Sequence, residues 1–250
     1  MGSKSCKRVL NNFSNHSSKR ETAPKTLEDS IFYGLSLDDE QKIFRDAIYD
    51  ESKLVVVCNA KSGTGKTTIS LGVANILYQY GFFKGIVYIA SPSMEQRQGY
   101  LPGDQESKNA PYMEPLQEAL ITLGIDPASA IISDTNIQAL KYGTAFIEFT
   151  VDTYLRGINF ENKVIIIDEA QNFEFDDLKK TLTRIHDSCK TIIIGHDKQC
   201  DLKNRKKSGF VPYLNAFKKI EDDPRVAICT LSVNHRGWLS TFCDNVEFNI

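Results

Sequence analysis

The chain has 250 residues, of which 41% are hydrophobic and 25% charged, and this composition excludes a disordered, collagen-like or coiled-coil protein. Basic residues number 30 and acidic residues 32, so the net charge of −2 excludes a general attraction to polyanions and leaves only local patches. Six cysteines without paired spacing are typical of a reducing compartment. With no long apolar run and no apolar leader, we expect no membrane partner and a cytoplasmic location.

The length predicts one domain preceded by an arm. Residues 1–30 are rich in Ser, Asn, Lys and Arg and have little hydrophobic periodicity, so we predict a flexible, basic arm there. Residues 31–250 are the predicted single domain. Its first helix is predicted to start near Ser36, which precedes Asp39 at capping-box spacing, and Phe44 and Ile48 recur at helical spacing.

Short β-rich runs then alternate with helical stretches. Strands are predicted at Leu54–Cys58, Ile86–Ala90, Phe146–Thr150, Val164–Ile167, Thr191–Ile194 and Val226–Leu231. Helices are predicted at Lys66–Tyr80, Tyr112–Leu123, Phe175–His186, Phe210–Ile220 and Leu239–Val246, and the long loop Ser91–Pro111 is expected to be functional or mobile. Several strands are continuously apolar, which predicts an α/β fold with a mostly parallel sheet and helices on both faces.

A phosphate-binding loop follows the first predicted strand. Its residues are Ala60, Lys61, Ser62, Gly63, Thr64, Gly65, Lys66 and Thr67, and Thr68 continues into the helix. A strand before such a loop and a helix after it is the context that a P-loop requires. Lys66 is predicted to reach the β- and γ-phosphates and Thr67 to ligate Mg²⁺. Ala60 departs from the motif, which begins with glycine.

Two adjacent carboxylates follow the apolar run Val164–Ile167. Such a strand delivers side chains to the edge of the sheet where ligands bind in α/β proteins. Asp168 suits support of Mg²⁺, and Glu169 is placed to polarise a water for attack on the γ-phosphate. A cluster of acids at the start of a helix is the alternative, and the P-loop upstream favours catalysis.

Gln199 and three arginines are further candidates for the reaction. Gln199 follows the run Thr191–Ile194, where it can contact the γ-phosphate or be a polar loop residue without a role. Phosphoryl transfer needs a cation on the developing charge, and Arg156, Arg184 and Arg236 are the candidates. Each of them taken alone is more often a surface cation than a catalytic one.

Four cations form a dense basic loop: Lys203, Arg205, Lys206 and Lys207. We predict that this loop contacts the phosphates of a nucleic acid. A solvated loop is the alternative.

Taken in order, these motifs resemble the PhoH family of phosphate-starvation-inducible ATPases, which is related to the RecA-like core of superfamily 1 helicases. The resemblance covers about Ser36 to Cys243. Besides the P-loop, it rests on Gly99–Asp104 with Lys108, Pro111 and Tyr112, and on Leu155–Phe160, Asp168–Asn172, Leu182–Ile185 and Ser208–Phe210. It implies a RecA-like P-loop fold, ATP and Mg²⁺ as cofactors, and Gln41 as the residue that reads adenine.

The chain departs from the family pattern where cations and a sensor are expected. His196 or Asp197 stands for the acidic residue before Gln199, and Asn234 stands for the arginine before His235. Ile158 replaces the second arginine of the family's R-G-R stretch. Arg236 is therefore the favoured substitute for the cation lost at Asn234.

The sequence as a whole predicts Mg²⁺-dependent ATP binding and hydrolysis, coupled to single-stranded RNA or DNA as in a helicase-like motor, with RNA favoured. A single RecA-like domain leaves one side of the γ-phosphate open, so a homo-oligomer is expected, and head-to-tail contacts can close into a ring. A P-loop kinase with a small acceptor and an ATP-dependent assembly scaffold are the alternatives.

Overall fold

A computed structural model describes residues 22–91, 105–133, 145–152, 155, 157–244 and 246, and a six-stranded sheet lies at its centre. The strands are β1 (Val55–Ala60), β2 (Ile86–Ala90), β3 (Ile147–Val151), β4 (Val164–Ile167), β5 (Lys190–Gly195) and β6 (Val226–Leu231). Their order across the sheet is β3-β2-β4-β5-β1-β6, and the pairings between them are parallel. Each predicted strand is present, with ends within two residues of the prediction.

Helices flank the sheet. They are α1 (Asp39–Tyr49), α2 (Lys66–Gln79), α3 (Gln105–Thr122), α4 (Pro127–Ala130), α5 (Phe175–Leu182), α6 (Phe210–Lys218) and α7 (Trp238–Asp244), with 3₁₀ turns at Ala170–Asn172 and Arg205–Lys207. Within the described residues, no helix is both long and apolar enough to cross a membrane.

Several predicted boundaries are wrong. The first helix is capped by Asp38 rather than Ser36, because the Asp38 carboxylate accepts from the Gln41 N–H (2.8 Å) while Gln41 Oε1 accepts from the Asp38 N–H (3.0 Å). α3 begins at Gln105 instead of Tyr112, so it includes Pro111. A proline inside a helix removes one backbone hydrogen bond but need not end the helix. α5 ends at Leu182, before His186.

The predicted arm also ends too late in the chain. Residues 1–21 lie outside the described residues, but Leu27 is already buried in the core, and the Tyr49 hydroxyl donates to the Pro24 carbonyl (2.6 Å). The packed part of the chain therefore begins before residue 31.

Two hydrophobic cores lie on opposite faces of the sheet. The first joins α1, α2 and α3 to strand residues such as Val56 and Cys58, and the second joins α5 and α6 to Val57 and Ile165. Successive residues of β1 therefore point into different cores, as expected when helices cover both faces. The predicted α/β fold, with a parallel sheet and helices on both faces, is confirmed.

The strand order determines which loops meet. Parallel strands end at the same edge of the sheet, so the loops after β1, β4 and β5 are neighbours. β5 lies between β1 and β4 and pairs with both. The P-loop after β1 and the carboxylates after β4 therefore face each other across the residues that follow β5.

Lys190 is a buried cation at the opposite, amino edge of the sheet. It is 2% exposed, and its Nζ donates to the carbonyls of Asp50 (2.6 Å) and Lys53 (2.7 Å). Burial lowers the pKa of Lys190 to about 8, although the carboxylates of Asp50 and Glu51 act in the opposite direction.

This burial predicts a dependence of stability on pH. An unfolded lysine has a pKa of about 10.4, so between pH 8 and 10 the unfolded chain binds more protons than the folded one, and folding is favoured as pH rises. Relative to Lys190→Met, the free energy of unfolding of the wild type should rise by about 2 kcal/mol over that range. Urea denaturation of both proteins at each pH measures this difference, in which the tyrosines and cysteines common to both cancel. A difference that stays constant would contradict the prediction.

Candidate functional site

Two glycines shape the loop between β1 and α2. Gly63 has φ 73° and Gly65 has φ 75°, in the left-handed region that favours glycine. A Cβ on Gly63 would lie 2.7 Å from Asn234 Oδ1, so the loop also needs the absence of a side chain there. Ala60, the departure from the motif, ends β1 and is buried. The methyl group is thus accommodated in the strand, and the loop itself keeps both glycines.

Neighbouring elements hold the loop in place. The Lys61 N–H donates to the Leu231 carbonyl at the end of β6 (3.0 Å), and the Thr64 hydroxyl donates to the Lys61 carbonyl (3.0 Å). Gln41 Nε2 donates to the Thr64 carbonyl (2.9 Å). Since Gln41 Oε1 is the acceptor in the α1 cap, the amide of this buried residue ties α1 to the loop. Its role in reading adenine stays a prediction.

A compact polar centre lies where α2 begins. Lys66 Nζ is 2.6 Å from Glu169 Oε1, and the Thr67 hydroxyl donates to Asp168 Oδ2 (2.7 Å). Asp168 is 2% exposed, and its Oδ1 accepts from the Glu169 N–H (2.8 Å). Glu169 itself has φ 49°, a left-handed conformation uncommon for glutamate, which turns the chain sharply after β4. The structure therefore brings together the lysine, the threonine and the two carboxylates predicted from their motifs.

The charges of this centre are coupled. Burial acts to lower the pKa of Lys66, but the carboxylates of Glu169 and Asp168 outweigh it and raise that pKa. Burial, followed by the charge of Glu169, raises the pKa of Asp168. Burial also acts to raise the pKa of Glu169, yet the ammonium group of Lys66 lowers it overall. A protonated lysine and an ionised Glu169 thus face each other at neutral pH.

Gln171 is a positioning residue that the sequence analysis did not single out. Its Nε2 donates to Glu169 Oε2, and its Oε1 accepts from the His196 N–H just after β5 (3.0 Å). Asn172 pairs similarly with Asp201, since the Asp201 N–H donates to Asn172 Oδ1 (2.8 Å). The segment after β4 is thereby fastened to the segment after β5. The signal available in the sequence was the pair of amide side chains, Gln171 and Asn172, that follows the two carboxylates.

Tyr88 is a second missed residue. It lies in β2, the neighbour of β4, and its buried hydroxyl donates to Asp168 Oδ2 (2.7 Å). Its ring packs beside that of Phe149 in β3, with centroids 6.1 Å apart. A single tyrosine in an otherwise aliphatic buried strand was the available signal.

Removing the Tyr88 hydroxyl tests its contribution. Tyr88→Phe should lower the free energy of unfolding at neutral pH by about 2 kcal/mol, because a buried carboxylate loses a hydrogen-bond donor. Tyr78→Phe is the matched control: Tyr78 also stacks on a phenylalanine, Phe146, and should show no change because its hydroxyl has no partner among the described residues. Urea denaturation measures both, and equal effects would contradict the role of Tyr88.

Arg236 and Gln41 join this centre in one cleft of about 620 Å³. Arg236 Nη1 donates to the Ser62 hydroxyl (2.9 Å), and the His235 N–H donates to the Gly63 carbonyl (2.8 Å). The lining includes Gln41, Ser62, Gly63, Thr64, Gly65, Lys66, Thr67, Thr68, Asp168, Glu169, His235 and Arg236, with part of α3 on one side. Arg236 therefore lies on the P-loop of its own chain.

The other predicted residues lie elsewhere. Gln199 is exposed and lines an adjoining cleft of about 380 Å³ with Lys61 and His196, and its N–H donates to His196 Nδ1 (3.1 Å). Arg184 follows α5 towards the amino edge of the sheet, where its Nη1 donates to the Ile158 carbonyl (3.3 Å). Arg156 and the segment Gly99–Asp104 lie outside the described residues.

The basic loop is exposed at the carboxyl edge of the sheet. Its residues are Lys203, Arg205, Lys206 and Lys207, and the last three form the 3₁₀ turn before α6. Lys207 Nζ lies 3.3 Å from Glu174 Oε1, at the start of α5. The loop thus lies on the same edge as the P-loop but outside its cleft.

Comparisons with known proteins match these features. Residues 36–236 match the family described as PhoH-like protein. Protein PhoH of Escherichia coli is 32% identical over 180 residues, which cover 71% of this chain and 48% of that protein. PhoH-like protein of Synechocystis is 33% identical, over 71% of this chain and 51% of that protein. The chain spans about half the length of these relatives.

A solved structure also shows a likeness. The SWI2/SNF2 ATPase core of Sulfolobus solfataricus in complex with dsDNA is similar with a TM-score of 0.42 and 15% sequence identity, over 78% of this chain and 45% of that one.

Proposed function

The chain belongs to the PhoH family, and we propose that it binds Mg²⁺·ATP and hydrolyses it. The observation that carries the proposal is the centre in which Lys66 Nζ lies 2.6 Å from Glu169 Oε1 while Thr67 donates to Asp168. It places a cation, a buried carboxylate and a second carboxylate around the N-terminus of α2. Phosphates, a metal and an attacking water need these groups.

The P-loop would bind the phosphates through its backbone. The first N–H groups of α2 have no acceptor within the helix, so they are available to donate to an anion, and the helix dipole favours negative charge there. Lys66 would exchange its contact with Glu169 for oxygens of the β- and γ-phosphates. Glu169 would then be free to accept a proton from water, and Gln171 would keep its carboxylate oriented.

The oxygen donors of Thr67 and Asp168 fit Mg²⁺. The ion prefers hydroxyl, carboxylate and phosphate oxygens as ligands. The Thr67 hydroxyl oxygen and Asp168 Oδ2 lie 2.7 Å apart. When held by these residues, Mg²⁺ would supply positive charge that neutralises the phosphates. The buried Asp168, already held by Tyr88, would be oriented for this task before the ion arrives.

We further propose that the reaction is coupled to single-stranded nucleic acid, with RNA favoured over DNA. The exposed basic loop on the same edge of the sheet supports this partner. The pairs that fasten Asp168–Asn172 to His196 and Asp201 offer a physical connection between that loop and Glu169.

Homo-oligomerisation is also proposed, because Arg184 lies on the edge of the sheet opposite to the P-loop of its own chain. It can serve as a catalytic cation only on the P-loop of a neighbouring copy. Arg236, which contacts Ser62, would act within its own chain.

Turnover assays test the proposal. Phosphate release from ATP should require Mg²⁺ and rise when single-stranded RNA or DNA is added. Free phosphate as the product distinguishes hydrolysis from a kinase, which would leave a phosphorylated acceptor. ATP binding without turnover would favour an assembly scaffold, and Lys66→Ala is the control that removes phosphate binding.

A further inference from the structure

An aromatic pair, of which Phe175 is exposed and Tyr213 half-buried, connects α5 and α6. Phe175 is the first residue of α5 and is 42% exposed. Its ring stacks on that of Tyr213 in α6, with centroids 5.4 Å apart and planes at 21°. The ring centroid of Phe217, one helical turn after Tyr213, lies 6.5 Å from the centroid of the Tyr213 ring. Neither the P-loop centre nor its supporting residues use this pair.

The aromatic pair and the basic loop form one surface. Ser208, directly after the basic 3₁₀ turn, forms an antiparallel bridge with Glu174, the residue before Phe175. A Cβ on Gly209 would lie 3.0 Å from Phe175 Cα, so the two segments are in close contact. The Lys207–Glu174 ion pair closes the same junction.

The charge of this surface is positive. Among the described residues, Lys203, Arg205 and Lys206 have no ion-pair partner. The acids beside Phe175 are Glu174 and Asp177, which are paired with Lys207 and Lys180, and Asp176, which lies near Tyr213. Asp201, which is hydrogen-bonded to Asn172, is a further acid beside Lys203, so three unpaired cations lie on a surface with two acids that have no ion pair among the described residues.

We propose that Phe175 is a stacking platform for a base of single-stranded nucleic acid, whose phosphates contact Lys203, Arg205 and Lys206. The inference rests on the nucleic-acid partner proposed above and adds the residue that would read the single strand. An exposed ring beside a row of cations is the combination that binds unpaired bases, because every base offers a face for stacking. Bases within a duplex are already stacked, so the platform favours single strands over duplexes.

Binding of labelled oligonucleotides to the full chain without nucleotide tests the platform. The probes are U12 RNA, T12 DNA and an abasic deoxyribose-phosphate 12-mer, followed by fluorescence anisotropy at several salt concentrations. Phe175→Leu keeps the apolar bulk and removes the ring, so it should weaken U12 and T12 binding about tenfold with an unchanged salt slope. It should leave the abasic probe unaffected. Lys206→Ala should instead reduce the salt slope by about one for every probe.

Two further variants act as controls. Phe242 is 57% exposed and stacks on Trp238 in α7, so Phe242→Leu removes a comparable ring elsewhere and should not change binding. Phe175→Trp keeps a stacking face and should bind base-bearing probes at least as well as the wild type. This variant keeps the test informative if Phe175→Leu fails to fold, which thermal unfolding reports. The U12 and T12 arms decide between RNA and DNA.

Several outcomes would overturn the platform: equal binding of U12 by Phe175→Leu and the wild type, an equal loss for the abasic probe, or an equal loss in Phe242→Leu. A tenfold loss in a folded Phe175→Trp would do the same, as would a wild type that binds none of the probes. Nucleic-acid-free ATP turnover of Phe175→Leu should match the wild type. Since that turnover is measured separately, failure of the proposed ATPase activity is distinguishable from failure of the platform.

Discussion

Glu169→Gln should lower ATP turnover by about 100-fold or more while ATP affinity stays at or above that of the wild type. The amide keeps the size of the side chain and its contact with Gln171 but cannot accept a proton from water. Lys66 is 2.6 Å from the Glu169 carboxylate, an ion pair that has to break before Lys66 can contact phosphates. Without that charge, Lys66 is free for the nucleotide, so binding should not weaken.

Two measurements separate chemistry from binding in this variant. Phosphate release gives turnover, and titration with a fluorescent ATP analogue gives affinity. Glu174→Gln is the matched control, because Glu174 lies outside the cleft and is paired with Lys207. Turnover in Glu169→Gln equal to that of the wild type would remove Glu169 from the proposed catalytic role. If Glu169→Gln lost ATP binding as well as turnover, Glu169 would instead be a structural partner of Lys66.

The sequence predicted the parts of the site that a local motif carries. The P-loop, Asp168 and Glu169 each follow an apolar strand, and the rule that parallel strands end at one edge was enough to place them together. Tyr88 and Gln171 could not be found in this way. Tyr88 touches Asp168 only because β2 is the neighbour of β4, and Gln171 reaches His196 only because β5 lies beside β4. Strand order depends on pairings distant in sequence, which periodicity does not encode.

Helix ends were predicted less well than strands for a related reason. The start of α1 was predicted near Ser36, but Gln41 completes the cap with Asp38 and also contacts the P-loop, which is a tertiary contact that local spacing does not encode. The roles of Gln199 and of the three arginines stay predictions, although Arg236 shares the cleft of the polar centre.

Arg184→Ala should lower turnover per subunit by on the order of 10³-fold, because an arginine that stabilises the developing charge on the γ-phosphate is worth about that much. Its position near the amino edge, with Nη1 on the Ile158 carbonyl, separates it from the P-loop of its own chain. In a head-to-tail contact it would lie against the P-loop of the next copy. The loss should therefore depend on the neighbour.

Mixing variants tests this dependence. An Arg184→Ala subunit keeps its P-loop, and a Lys66→Ala subunit keeps Arg184, so about one in four contacts in an equal mixture should regain activity. Arg236→Ala is the matched comparison. Arg236 contacts Ser62 of its own loop, so mixing Arg236→Ala with Lys66→Ala should restore nothing. Rescue in both mixtures would place both arginines on a neighbouring P-loop. Full, concentration-independent turnover by a protein that sediments as a monomer would show that no second copy is needed, and Arg184 would then be a surface cation.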